Sequence, residues 1–332
     1  MSFSRTVPRN AVRQDKKKSF MSLEALRTIK DSIESVSSFD SFDRPIFIIA
    51  PPRSGSTFLF DSLAMFDELH HLNTEADHIW WRVFPYDDMP YPCDYIGKEH
   101  ISVRNVRELR RLIYLEAMRN RCAKYEWGRL YKLRYCFGLT RIRYLDKTIT
   151  NCFHLEFLNH VFPDAHYIVL LRDPWANISS MIEGWGRPEF STPQLAPIIR
   201  QLKAATVESV TYSAPPGWKD VFALPLPQIC AWSWRQHVEY ALEFVKNKRK
   251  DCEVVRYEDL VKDNLQTVCQ LATKLGLLVT KSVVDRLKNV TPSRTTVSAA
   301  RPYKWMTKNR EAIESVRAMV EDLAEKIGYR TF

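Results

Sequence analysis

An α/β fold, with a central, mostly parallel sheet covered by helices on both faces in three layers, is what this sequence predicts. Three observations lead there. The apolar runs "IFIIA" at 46–50 and "YIVLL" at 167–171 carry no polar alternation, as strands buried on both faces require. Each breaks into a short polar turn and then resumes with apolar residues at helical spacing. With 332 residues, 45% of them hydrophobic, the chain is long enough to bury one large core of this kind.

Taken in order, residues 1–43 read as a basic N-terminal arm and a leading helix, and 44–332 as a single α/β domain. The first strand, Ile46 to Ala50, leads into a helix packed through Phe58, Leu59, Ser62, Leu63 and Phe66. "RIRYLDKTITNCFHLEFLNHVFPDA" gives a short strand through Leu145, a loop at Asp146, Lys147 and Thr148, and a helix through Leu155, Leu158 and Val161 that stops at Pro163. "HYIVLLRDPWANISSMIEGW" gives a strand ending at Arg172, an N-cap at Asp173 and Pro174 in the first helical turn. "CEVVRYEDLVKDNLQTVCQLATKLG" is a further strand and a helix ending at Gly276. A single amphipathic helix through Ala312, Ile313, Val316, Met319, Val320, Leu323 and Ile327 closes the domain.

Composition removes several classes of function. The seven cysteines are scattered, odd in number and nowhere spaced C-x-x-C, so neither a disulfide framework nor a zinc site is expected, and a reducing compartment fits. No apolar run approaches the roughly 18 residues of a membrane span, and the N-terminus lacks a signal peptide's oily stretch, so a soluble, cytoplasmic protein is expected. No nucleic-acid-binding motif is present. The net charge of +10 is concentrated between Arg104 and Arg143, which hold twelve Lys or Arg against three Glu. Part of that segment is helical by pattern, with Val106, Leu109, Leu112, Ile113 and Met118 on the inner face. Two readings of the charge stay open: a solvated basic face, or a docking surface for an anionic or carrier-bound acceptor.

The chemistry is concentrated in the turn after the first strand, "PPRSGST". A loop at the carboxyl end of a buried parallel strand, followed by a helix, offers free N–H groups and a positive dipole to an anion. Gly55 lets the backbone come close, Ser54, Ser56 and Thr57 bring hydroxyls, and Arg53 brings a forked cation. The result is a P-loop-like phosphate cradle. It departs from the nucleoside-triphosphatase pattern, which wants Lys where Ser56 stands and Gly where Ala50 stands. Arg172 and Ser180, after the second strand, form a second candidate anion clamp.

"PPRSGSTFL" and "LLRDPWANISS", in this order and at this distance, resemble the two cofactor motifs of sulfotransferases that use 3'-phosphoadenosine 5'-phosphosulfate (PAPS). "DKTITN" is similar to that family's central KT turn, "VVRYEDL" to its late strand motif and "AARPYKWMTKNREAIESV" to its C-terminal loop and helix. The Arg-type first loop is most like the carbohydrate, tyrosyl-protein and bacterial branches. The resemblance implies transfer of a sulfuryl group to a hydroxyl or amine acceptor, leaving 3'-phosphoadenosine 5'-phosphate (PAP), with no metal required. It implies that Arg53, Ser54, Gly55, Ser56 and Thr57 hold the 5'-phosphosulfate beside Lys147. Arg172 and Ser180 would hold the 3'-phosphate, Phe58 and Tyr257 the adenine, and Arg301 and Lys304 a loop closing over the 3'-phosphate. The family's usual His base has no counterpart, since Ile149 takes its place. The Arg-loop branches place a Glu roughly twenty residues beyond that loop, which selects Glu75 as general base, with Asp77 and His78 as substitutes. A kinase or NTPase of the same fold, and a non-catalytic nucleotide or polyanion binder, stay open as alternatives. The aromatic stretch "IWWRVFPYDDMPYPCDY" reads either as an acceptor wall or as a loop packed onto the domain.

Overall fold

In the computed structural model, residues 42–124, 141–247, 251–290 and 303–330 are described. The expected arm at 1–43 therefore lies outside them except for Phe42 and Asp43. Five strands, β1 Ile46–Ile49, β2 Leu69–His71, β3 Arg143–Asp146, β4 His166–Leu171 and β5 Cys252–Arg256, form one sheet in the order β2-β3-β1-β4-β5. Every pairing is parallel, with Ile46 opposite Leu145 on one side and His166 on the other. The helices that pack on the sheet and shape the site include α1 Ser56–Leu63, α2 Asp77–Val83, α3 Val103–Lys124, α4 Leu155–Val161, α5 Pro174–Gly184, α6 Leu226–Asn247, α7 Asn264–Lys274, α8 Lys281–Leu287, α9 Arg310–Glu314 and α10 Arg317–Lys326.

Strand side chains alternate between faces, and both faces here are dry. Phe47, Ile49, Tyr144, Tyr167 and Val169 pack under α3, α4, α5, α6 and α10. Ile46, Ile48, Leu145, Ile168 and Leu170 pack under α1, α7 and α8. A smaller apolar cluster, including Leu195, Val210, Trp218 and Phe222, supports the long connection between α5 and α6. No helix among the described residues is long and apolar enough to cross a membrane.

Local chemistry sets the helix ends. Asp173 accepts from the N–H groups of Trp175 and Ala176 at 3.2 and 3.3 Å, with Pro174 in the first turn of α5. Gly276 ends α7 in the left-handed region at φ 68°. The single C-terminal helix expected from the sequence is divided into α9 and α10. Ser315 sits at the division, and its hydroxyl donates back to Ala312 O at 2.8 Å, an alternative to continuing the helix.

The basic segment also resolves. Leu109, Ile113 and Met118 are buried on the inner face of α3, as its spacing predicts. Several of its cations tie structure together. Arg110 donates to Val161 O at 2.6 Å, Arg111 pairs with Glu108 at 2.7 Å, and Arg121 donates to Leu69 O at 3.1 Å. Arg143 is buried in β3 and donates to Leu275 O at 2.6 Å. These four therefore serve the fold, which weakens the reading of this charge as an acceptor dock; residues 125–140 lie outside the described set.

The chain leaves β1 toward β2 on one edge and leaves β4 toward β5 on the other. Loops that diverge from adjacent parallel strands open a crevice at their carboxyl ends. Here the diverging loops are 50–55 and 172–173, the two motif-bearing turns.

Candidate functional site

Two residues of the first loop are in the left-handed region: Arg53 at φ 65° and Gly55 at φ 91°. For a non-glycine residue this costs energy and is typical of functional turns. At Gly55 nothing larger fits, since a Cβ would lie 2.4 Å from the Tyr257 ring. The first helical bonds of α1 run from Phe58 and Leu59 to Gly55 O at 3.0 and 3.2 Å. The N–H groups of Ser56 and Thr57 precede them at the positive end of the helix. Burial lowers the pKa of Arg53, and nearby Arg172 and Arg187 lower it further against an opposing effect of Tyr212, so an anion would be welcome here. The Arg53 guanidinium lies 4.6 Å over the Phe190 ring.

Ser54 does not share that outlook. Its fully buried hydroxyl donates to Pro51 O at 2.7 Å and meets Asn177 Oδ1 at 2.9 Å, so it fastens the loop from behind instead of facing a ligand. Ser54, expected among the 5'-phosphosulfate contacts, is not among the residues that line the site's cavity. Asn177, which the sequence reading passed over, completes the fastening by donating to Pro52 O at 2.6 Å. It sits on the α5 face that meets the loop, and its only sequence signal is a polar residue on an otherwise apolar face. Arg172, between the two motifs, donates to Arg53 O at 2.7 Å and stacks 4.6 Å over the Tyr257 ring.

The turn after β3 brings in the third motif. Lys147 Nζ lies 2.5 Å from Glu75 Oε1, joining the expected cation and the expected base in one ion pair. Thr148 Oγ1 accepts from Ala76 N at 2.7 Å and donates to the buried Asp146 at 3.0 Å. Thr150 Oγ1 donates to Asp77 Oδ1 at 2.9 Å. Burial first, then Glu75 and Asp94, hold the Asp77 carboxyl well above the ordinary carboxylate range, against the Thr150 bond. This favours its protonated form, which already carries a proton and does not serve as a general base. His78 turns to Glu116, at 2.8 Å.

One cavity of about 1000 Å³ lies among these groups, and Lys147 reaches it only through its partner Glu75. Arg53, Gly55, Ser56, Thr57, Phe58, Glu75, Arg172, Ser180, Tyr257 and Lys304 all reach it; Arg301 lies outside the described residues. Lys304 is held there by Glu183, at 2.9 Å. The far wall was not foreseen: Phe190, Ser191, Thr192 and Tyr212 come from the long α5–α6 connection. Of the aromatic stretch at 79–95, Trp81 reaches the cavity, whereas Trp80, Phe84 and Tyr86 are buried in the apolar clusters. Asp94 is also at the wall, fixed by the Tyr86 hydroxyl and by Ala214 N–H at 2.5 Å. Among the described residues no group of three or more His, Cys, Asp or Glu is arranged to hold a metal ion.

A family model described as "Sulfotransferase family" matches residues 45–281. No curated protein matches the chain by sequence. Among solved structures, sulfotransferase STF9 from Mycobacterium avium is similar at 14% identity and TM-score 0.48, over 92% of this chain and 83% of that one. Sulfotransferase STF1 from Mycobacterium tuberculosis H37Rv is similar at 16% identity and TM-score 0.43, over 88% of this chain and 80% of that one. Mouse sulfotransferase SULT7A1, complexed with PAP, is similar at 16% identity and TM-score 0.45, over 88% of each chain.

Proposed function

The chain belongs to the sulfotransferase family, and from that premise we propose that it transfers the sulfuryl group of PAPS to a hydroxyl or amine acceptor by in-line displacement. The observation that carries this reading is the Lys147–Glu75 ion pair at 2.5 Å, whose Glu75 lines the cavity onto which the Arg53 loop opens. It puts a proton acceptor and a cation for a leaving group side by side.

The residues present fit the nucleotide. The donor set is anion-binding in character: helix N–H groups at Ser56 and Thr57, and the cations of Arg53, Arg172 and Lys304 on one cavity, with Lys147 behind its wall on Glu75. Gly55 lets the Tyr257 ring pack directly against the loop, where a Cβ would lie 2.4 Å from it. Bound there, PAPS supplies a sulfur–oxygen bond whose electron pair leaves on the 5'-phosphate as the acceptor atom bonds to sulfur. Arg53, Lys147 and the Ser56 and Thr57 amides hold the charge that gathers on the departing oxygen. Arg172 and Ser180 take the 3'-phosphate, and Phe58 and Tyr257 flank the adenine. Glu75 would take the acceptor's proton, with Lys147 as the cation beside it at 2.5 Å. The free cysteines Cys93, Cys152 and Cys230 accord with a cytoplasmic setting.

Incubation with labelled PAPS over a panel of sugar, phenol, alkyl alcohol and amine acceptors, read by mass spectrometry, tests the reading. A sulfated product is expected. Tight binding of ATP with phosphate transfer, and no sulfated product, would overturn it.

A further inference from the structure

The turn after β3 grips the segment that carries Glu75. Thr148 and Thr150 stand two residues apart and bond to consecutive residues of that segment, Thr148 to the Ala76 amide at 2.7 Å and Thr150 to the Asp77 carboxyl at 2.9 Å. The grip is backed from within. Thr148 Oγ1 donates its hydrogen bond to Asp146 Oδ1 at 3.0 Å, so its lone pair is turned toward Ala76. Asp146 is buried, and its other oxygen accepts from Asn151 Nδ2 at 2.5 Å. Thr148 and Ala76 are themselves almost fully buried, so water does not compete for this hydrogen bond. Lys147 lies in the same turn and Glu75 in the same segment, so the bond spans from the neighbour of one to the neighbour of the other.

We infer that Thr148 and Thr150 are positioning residues that lock the Glu75 segment to the Lys147 turn, fixing the distance between proton acceptor and cation independently of the nucleotide loop. The inference rests on the reading of Glu75 as the base. A Ser hydroxyl offers the same bond and Val the same shape without it, which separates the hydrogen bond from the packing. A misplacement of about 1 Å at a reacting group costs roughly 100-fold in rate.

The test uses the full chain and radiolabelled PAPS with water as acceptor, following sulfate release in single turnover, with PAP affinity by calorimetry. Thr148→Val is expected to slow release roughly 100-fold at unchanged PAP affinity, and Thr148→Ser to restore most of the rate. Should the Val variant not fold, Thr148→Ala carries the same comparison. Added to Glu75→Gln, Thr148→Val is expected to cost nothing further, because its effect passes through Glu75. An equal loss in both backgrounds, a loss of PAP affinity in step with rate, or no rescue by Ser would overturn the inference. Glu75→Gln alone reports on the underlying reading: if it keeps full rate, the base is misassigned, whereas a slow Glu75→Gln beside a fast Thr148→Val defeats only the clamp.

Discussion

The guanidinium of Arg172 donates to the backbone carbonyl of Arg53 at 2.7 Å. The loop after β4 thereby sets the conformation of the loop after β1, including the left-handed turn at Arg53. If Arg172 also holds the 3'-phosphate, its loss is felt more by PAP than by AMP. One charge-assisted hydrogen bond of about 1.5–3 kcal/mol corresponds to about 10- to 150-fold in affinity. Arg172→Ala should weaken PAP binding by that much in calorimetry and narrow the preference over AMP. Equal losses for both nucleotides would mean that Arg172 acts through the Arg53 loop alone.

Gly55 is constrained twice, by φ 91° and by the Tyr257 ring 2.4 Å from where a Cβ would stand. The left-handed conformation costs an Ala about 1–2 kcal/mol before any overlap is counted. Gly55→Ala should lower stability in urea by at least that amount and abolish PAP binding. Adding Tyr257→Ala should recover the overlap part only. Wild-type PAP affinity in Gly55→Ala would contradict the close approach.

Burial raises Asp94 from the ordinary 3.8 to about 6, against the hydrogen bonds from Ala214 and Tyr86. A carboxyl with a raised folded pKa binds its proton more tightly in the native state, so its contribution to stability is full below about pH 4 and is lost as pH rises through about 6. The difference in unfolding free energy between wild type and Asp94→Asn should accordingly shift against wild type by of order 3 kcal/mol between pH 4 and 7, and stay level above. Urea titrations across that range measure it. A difference that grows in favour of wild type with rising pH would show that the two hydrogen bonds outweigh burial.

Strands β1 and β4 were legible because burial on both faces leaves an unbroken apolar run, and the two turns proposed to bind anions because a strand end followed by a helix leaves a polar turn; the three-residue β2 was not read. The direction of a single hydroxyl was not. Ser54 reads like Ser56 in sequence, yet the left-handed residues on either side of it turn it inward against Asn177. The far wall of the cavity was hidden for a different reason. Phe190 and Tyr212 belong to a long irregular connection whose packing follows no period, and they meet at 5.4 Å only once it folds back. The division of the C-terminal helix at Ser315 was masked by apolar spacing that continues unbroken through it.

The account rests most heavily on Glu75. Gln keeps its shape and a hydrogen-bonding oxygen for Lys147 but takes no proton, and general base catalysis typically contributes about 10²- to 10⁴-fold. The direct measurement is the rate of labelled sulfuryl transfer by Glu75→Gln and Asp77→Asn, each paired with PAP affinity by calorimetry. The account predicts that Glu75→Gln loses about 10²- to 10⁴-fold in rate with PAP affinity nearly unchanged, while Asp77→Asn retains most of its turnover. Near-full transfer by Glu75→Gln together with its loss in Asp77→Asn would contradict it.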